Sequence, residues 1–123
     1  MANGLLGIGG AALMLGAMLT APAVAAGPSV SEVVDGLNSN DRFAVGYMQG
    51  LLDSYNTVNY YLTQLNDNNL LYCAPNGLVL TLAQADDILS RYIEQHAFEG
   101  SFPARAVVLV ALKDVFPCPG AKP

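Results

Sequence analysis

Two cysteines, Cys73 and Cys118, constrain this chain more than any other feature of its sequence. They are the only cysteines among its 123 residues, so they can pair within the chain in one way only. In the chain-entropy model, a disulfide across a separation of this length stabilises the fold by about 4 kcal/mol. That is a large share of the ~5–15 kcal/mol that typically separates a folded domain from its unfolded chain. Two buried thiols, or a link between two chains, are the alternatives.

The amino-terminal part of the chain has the composition of an export signal. No charged side chain occurs from Gly4 to Ala26, and Leu13–Leu19 is an apolar run. Ala23-Val24-Ala25 matches the small-x-small pattern that precedes a cleavage site. An uncleaved membrane anchor is the alternative, because the apolar stretch reaches the ~20 residues that span a bilayer. The absence of Lys and Arg before Arg42 also departs from a typical signal peptide.

Cleavage divides the chain into a signal peptide, residues 1–25, and one exported domain, residues 26–123. About 98 residues are enough for one domain and too few for two. An exported domain reaches an oxidising compartment, which favours the disulfide. All charged side chains lie from Glu32 onward and sum to a net charge of −5. This charge disfavours nucleic acid as a partner, because phosphate binding requires a positive surface, and it would attract a basic protein.

The first half of the predicted domain contains two segments with helical spacing of apolar residues. A short one runs from Ser31 to Leu37. A long one begins near Asp41 and continues to about Leu65, through a stretch whose composition also suits a strand. Gly46 and Gly50 lie on one flank of it and indicate either a close approach by another part of the chain or two weak helical positions.

The second half contains two more such segments. Thr81 and Gln84 form a capping-box pattern, which predicts the start of a helix. Ser101 is the predicted cap of a last helix, with Pro103 in its first turn. The branched run Val107–Val110 could instead be a strand. Four helical segments with short connections predict an all-α fold, a small compact bundle of about four helices with one disulfide.

The sequence offers little catalytic chemistry. His96 is the sole histidine, lies at the end of a predicted helix and has no nucleophile or metal partner in a known pattern. Asp86 and Asp87 are adjacent, so they point in different directions on a helix. We therefore predict no enzyme, no catalytic or metal-binding residue, no cofactor and no small-molecule substrate.

Tyrosines beside an Asn-rich loop have the composition of a protein interface. Tyr72, after that loop, is also hard to place in a core, and packing of the loop against the bundle is the alternative explanation. The candidate partner-binding residues are Tyr60, Tyr61, Asn66, Asp67 and Asn68.

An ordered set of residues resembles the Rap/Tai family of immunity proteins over about residues 43–119. The set consists, in chain order, of Tyr47, Gly50, Asp53, Cys73, Pro75, Gly77, Thr81, Gln84, Tyr92, Ile93, Ala111, Leu112, Phe116, Pro117 and Cys118. The resemblance implies a helical periplasmic protein that protects a bacterium from type VI secretion effectors, often peptidoglycan amidases. It also implies that the protein binds and occludes its cognate effector, that it can form a homodimer, and that Cys73 and Cys118 are the family's disulfide cysteines.

Two other functions fit the same features. One is an acid-stress periplasmic chaperone of the HdeA type, which is also small, helical, exported and stabilised by a single disulfide. The other is a structural component held in the membrane by an uncleaved amino terminus.

Overall fold

A computed structural model describes residues 27–75, 78–96 and 100–120 of the chain. These ranges contain no strand, and the predicted all-α bundle with one disulfide is confirmed. The predicted signal peptide lies outside them. Among the helices described, none is long and apolar enough to cross a membrane. The helices are α1 (Val30–Asn38), α2 (Arg42–Gln64), α3 (Leu82–His96) and α4 (Ala104–Val115).

Capping interactions at the end of α1 and at the start of α2 form the corner between these helices. α1 begins at Val30, one residue earlier than predicted, because Ser29 and Glu32 cap it reciprocally. Asn40, at φ 54°, ends it in the left-handed conformation, and the Asp41 N–H donates to the Gly36 carbonyl at 2.8 Å. The Asp41 carboxylate then accepts from the Ala44 N–H at 3.1 Å and starts α2 as predicted.

Of the two interpretations of Gly46 and Gly50, weak helical positions fit the part of the chain that the structure describes. A Cβ at either position would meet no described atom within 4 Å. The tight glycine in this region is Gly36, where a Cβ would lie 2.5 Å from the Ala44 Cβ. The α1–α2 corner is therefore the place where a missing side chain lets two helices approach.

The second pair of helices starts in two different ways. The predicted capping box of α3 is present: the Thr81 N–H donates to Gln84 Oε1 at 3.0 Å, and the Gln84 N–H donates to Thr81 Oγ1 at 3.2 Å. The predicted Ser101 cap of α4 is wrong. α4 begins after Pro103 without a side-chain cap, and the Ala104 N–H donates to the Pro28 carbonyl at 3.0 Å. A distant backbone segment thus replaces the local cap. The strand alternative for Val107–Val110 is also wrong, since this run is helical.

Residues from all four helices form one core. Tyr72, which the sequence did not place in a core, belongs to it and is 2% exposed. The core can accept this tyrosine because its hydroxyl donates to Asn56 Oδ1 at 2.6 Å. The largest fully buried side chains are Met48, Leu89, Leu112, Val30 and Val33.

The disulfide joins Cys73 to Cys118, so the alternatives of free thiols and an interchain link do not apply to this structure. The Cys73 N–H also donates to the Phe116 carbonyl at 2.9 Å. The bridge therefore fastens the start of the α3–α4 hairpin to its end and holds the segment before Cys73 against α4.

Candidate binding surface

The second half of α2 extends past the buried core. The buried residues of α2 are Ala44, Met48 and Leu52, and no residue between Leu52 and the end of the helix is buried. Two of the candidate partner-binding residues lie here: Tyr60 is 68% exposed and Tyr61 is 62% exposed. Both tyrosines are thus available to a partner in the described structure.

Exposed apolar residues extend this surface on one side of α2. Val58 and Leu65 are three residues before and four residues after Tyr61, which places the three side chains on a common face. The sequence predicted a helix that continues to about Leu65, and this part of the chain is helical. Its apolar face is exposed to solvent and does not pack in the core. Apolar groups that remain exposed at this spacing mark a surface suited to a protein partner.

The loop after α2, residues 66–69, is called the Asn loop below, and its backbone is fixed by a helix-end motif. Asn66 has φ 54°, the left-handed conformation that asparagine tolerates. Its N–H donates to the Thr63 carbonyl at 3.1 Å, and the Asp67 N–H donates to the Leu62 carbonyl at 2.9 Å. Asp67 Oδ1 in turn accepts from the Asn69 backbone and side-chain amides, both at 2.9 Å.

Two asparagines on α2 hold the segment that follows the Asn loop. The Asn59 side chain accepts from the Leu71 N–H at 2.7 Å and donates to the Tyr72 carbonyl at 2.9 Å. Asn56 accepts from the Tyr72 hydroxyl. The sequence analysis did not identify these positioning residues. Asn56 and Asn59 are three residues apart, which places their two amides on one face of the helix. This spacing could have indicated their role.

Two open clefts flank the Asn loop. One has a volume of about 490 Å³ and includes Asn66, Asp67 and Asn68 in its lining, together with the disulfide. The other, of about 470 Å³, shares Asn68 with it and extends along α4. The structure therefore brings three of the five candidate residues to one cleft. Tyr60 and Tyr61 line neither cleft and stand on the adjoining helix.

Acidic residues supply the charges of the second half of α2 and of the Asn loop, whereas Lys113 of α4 lines one of the two clefts. No Lys or Arg occurs between Arg42 and Arg91. On the second half of α2 and the Asn loop, the charged residues are Asp53 and Asp67. The surface accordingly combines exposed aromatic rings, amides and carboxylates.

Titratable groups elsewhere are engaged in packing. The His96 ring stacks on Tyr92 with centroids 4.0 Å apart, and its Nδ1 is 2.9 Å from the Tyr92 carbonyl oxygen. Burial, together with the nearby Tyr47, raises the pKa of Tyr55 to about 12, and Arg105 opposes this shift. The Tyr55 hydroxyl therefore stays protonated and donates to the Arg105 carbonyl. Across the three described ranges, no group of three or more His, Cys, Asp or Glu side chains could hold a metal ion.

Comparison with known proteins identifies the family. No curated protein and no solved structure gives a significant match. The model of the family described as Rap1a immunity proteins matches residues 29–118. That range runs from the Ser29 cap of α1 to Cys118 and includes all four helices and both cysteines. The family resemblance predicted from the ordered motif residues is thus confirmed, and the chain belongs to the Rap1a family of immunity proteins.

Proposed function

We propose that this protein is a periplasmic immunity protein that binds and neutralises a secreted antibacterial effector. The family match over residues 29–118 is the observation that carries the proposal. The effector class implied by the resemblance is a peptidoglycan-cleaving amidase delivered by type VI secretion. Neutralisation is stoichiometric: the protein covers the effector's active site and performs no chemical step.

The surface formed by the second half of α2 and the Asn loop supports the proposal. Tyr60 and Tyr61 offer large side chains with few rotatable bonds, so fixing them in a complex costs little entropy. The helix-end motif at Asn66 and the Asn59 amide already order the backbone of the loop. A surface that is ordered before binding retains more of its interaction energy as affinity.

The product of the gene next to this one is the natural test partner, since immunity proteins are encoded beside their toxins. Expressed in the periplasm, that product should stop growth, and co-expression of the full-length chain should restore it. The two proteins should co-purify as a stable complex. Absence of both protection and complex formation would exclude the proposal.

Paired variants test the surface itself. The double variant Tyr60→Ser/Tyr61→Ser should weaken effector binding by roughly a hundredfold, because truncating aromatic residues at interface centres typically costs about 2 kcal/mol or more. Phe43→Ser is the matched control: Phe43 is 64% exposed but lies at the opposite end of α2. Equal affinities of the two variants would place the interface elsewhere and leave the immunity function intact.

Export is tested separately. The proposal expects the mature chain in the periplasmic fraction, beginning at residue 26 or 27 after removal of the signal peptide. Recovery of a chain that begins at Met1 or Ala2 in the membrane fraction would favour a retained anchor.

A further inference from the structure

The cleft beside Asp67, called the Asp67 cleft below, has walls of two kinds. Its polar wall comes from the end of α2 and the Asn loop and contains Thr63, Asn66, Asp67 and Asn68. Its apolar wall contains Leu70, Pro119 and the disulfide between Cys73 and Cys118. The lining thus contains both polar and apolar groups around one open volume of about 490 Å³.

The polar wall is rich in hydrogen-bond acceptors. Thr63 donates its hydroxyl proton to the Asn59 carbonyl at 2.8 Å, which leaves the Thr63 hydroxyl oxygen as an acceptor. Asp67 uses Oδ1 to bind Asn69, and its Oδ2 has no hydrogen-bond partner among the described residues. Asn66 and Asn68 add amide oxygens. A ligand group with several N–H donors would satisfy this wall.

The charge of the described lining is negative. Among the described residues that line the cleft, Asp67 is the one that carries a charge. Lys113 lines the neighbouring cleft, which shares Asn68, Leu70 and Cys118 with this one. A cationic group entering the Asp67 cleft therefore meets an acidic and acceptor-rich surface formed by these described residues.

We propose that the Asp67 cleft receives a lysine or arginine side chain of the effector. The charged end of that side chain would bind Asp67 Oδ2 and the surrounding amide oxygens. Its methylene stem would pack on Leu70, Pro119 and the disulfide, as long basic side chains do on apolar surfaces. This inference rests on the proposed immunity function and specifies the chemistry of the partner: an exposed basic residue next to an apolar patch that contacts Tyr60 and Tyr61.

The fixed backbone makes such a contact specific. Asp67 is held from both sides, by its own N–H on the Leu62 carbonyl and by its Oδ1 on Asn69. The carboxylate consequently does not have to be ordered when the cation arrives. Charge-assisted hydrogen bonds of this kind are stronger than neutral ones, and the loss of one partner from a buried charge pair weakens a complex mainly through faster dissociation.

The test uses the purified full-length pair, this protein and the product of the adjacent gene, at low and high salt. Asp67→Asn keeps an Oδ1 acceptor for Asn69 and replaces the charged carboxylate by a neutral amide, whose NH2 donor takes the place of Oδ2. It should raise the Kd by roughly ten- to a hundredfold at low salt. It should also make the Kd less sensitive to salt. Asp67→Lys should raise the Kd further, because it places two cations together.

Asp35→Asn is the matched control, since it removes one exposed carboxylate from α1 and leaves the Asp67 cleft unchanged. Its Kd should remain within about twofold of that of the natural chain, which separates a local contact from the effect of net charge. Thermal unfolding of each variant verifies that the fold is retained.

The outcomes separate the two claims. A complex whose Kd and salt dependence are the same for Asp67→Asn and Asp35→Asn overturns the cation contact and leaves the immunity function standing. Failure of the natural chain to bind the effector at any salt concentration overturns both.

Discussion

The Asn59 side chain links α2 to the segment after the Asn loop with a single amide. It accepts from Leu71 and donates to Tyr72, in the way that a neighbouring strand would pair with an extended chain. Both contacts are to backbone atoms, so they fix the path of the chain and not the choice of side chains. The neighbouring Asn56 adds a third bond through the Tyr72 hydroxyl.

Replacing Asn59 by alanine should lower the free energy of unfolding by about 2 kcal/mol. Two hydrogen bonds are lost, and the half-buried Leu71 N–H and Tyr72 carbonyl lose their partner. Urea denaturation measures the change. Asn68→Ala is the control, because Asn68 is exposed and its removal should change stability by less than about 0.5 kcal/mol. Equal midpoints for the two variants would mean that the amide bridge does not hold the segment.

The glycines in and near the helices differ in how closely other residues approach them. Gly36 lies at the α1–α2 corner against Ala44, and Gly100 lies against Ser31 near the start of α1. At Gly46 and Gly50 in α2, an added Cβ would contact no other element among the described residues. The first two are required by packing, whereas the second two are not.

Substitution by alanine should therefore change stability in opposite directions. Gly36→Ala should destabilise the fold by about 1–3 kcal/mol, because the new Cβ would lie 2.5 Å from the Ala44 Cβ. Gly46→Ala and Gly50→Ala should each stabilise it by about 0.5–1 kcal/mol through helix propensity. Thermal or urea unfolding of the three single variants provides the comparison. A stabilised Gly36→Ala protein would contradict the contact at the corner.

How far the sequence predicts these elements depends on the distance along the chain between interacting groups. The starts of α2 and α3 were predicted because Asp41 and the pair Thr81–Gln84 act on residues three positions away. The start of α4 was not predicted correctly, because its first N–H donates to the carbonyl of Pro28, which is remote in sequence. Tyr72 was missed for the same reason: its partner, Asn56, belongs to another element. The exposed candidates Tyr60 and Tyr61 followed from composition, whereas the two clefts required coordinates.

Taken as a whole, the molecule is a small bundle in which one covalent bond closes the last two helices into a ring. The sequence separation of 45 residues between Cys73 and Cys118 sets the size of that ring. The Asn loop lies outside the ring but ends four residues before Cys73. Its position therefore depends both on α2 and on the bridge.

Removing the bridge should cost much of the stability of the fold. The double variant Cys73→Ala/Cys118→Ala should lose about 4 kcal/mol, because the unfolded chain regains the entropy that the cross-link removes. Denaturant titration of the oxidised protein, the reduced protein and the double variant measures this loss. Reduction should shift the oxidised protein towards the double variant and leave the double variant unchanged. A loss below about 1 kcal/mol would show that the non-covalent core alone holds the bundle.

The Asn loop is held by backbone hydrogen bonds, the Asn59 amide, the bridge and the Asp67 Oδ1 atom, which accepts from Asn69. Asn66 and Asn68 line an open cleft. Substitutions among the displayed residues, apart from those at Asp67 and at the left-handed position of Asn66, should thus have little effect on folding. An immunity lineage built this way can follow a changing toxin by altering its contact residues while its scaffold stays the same.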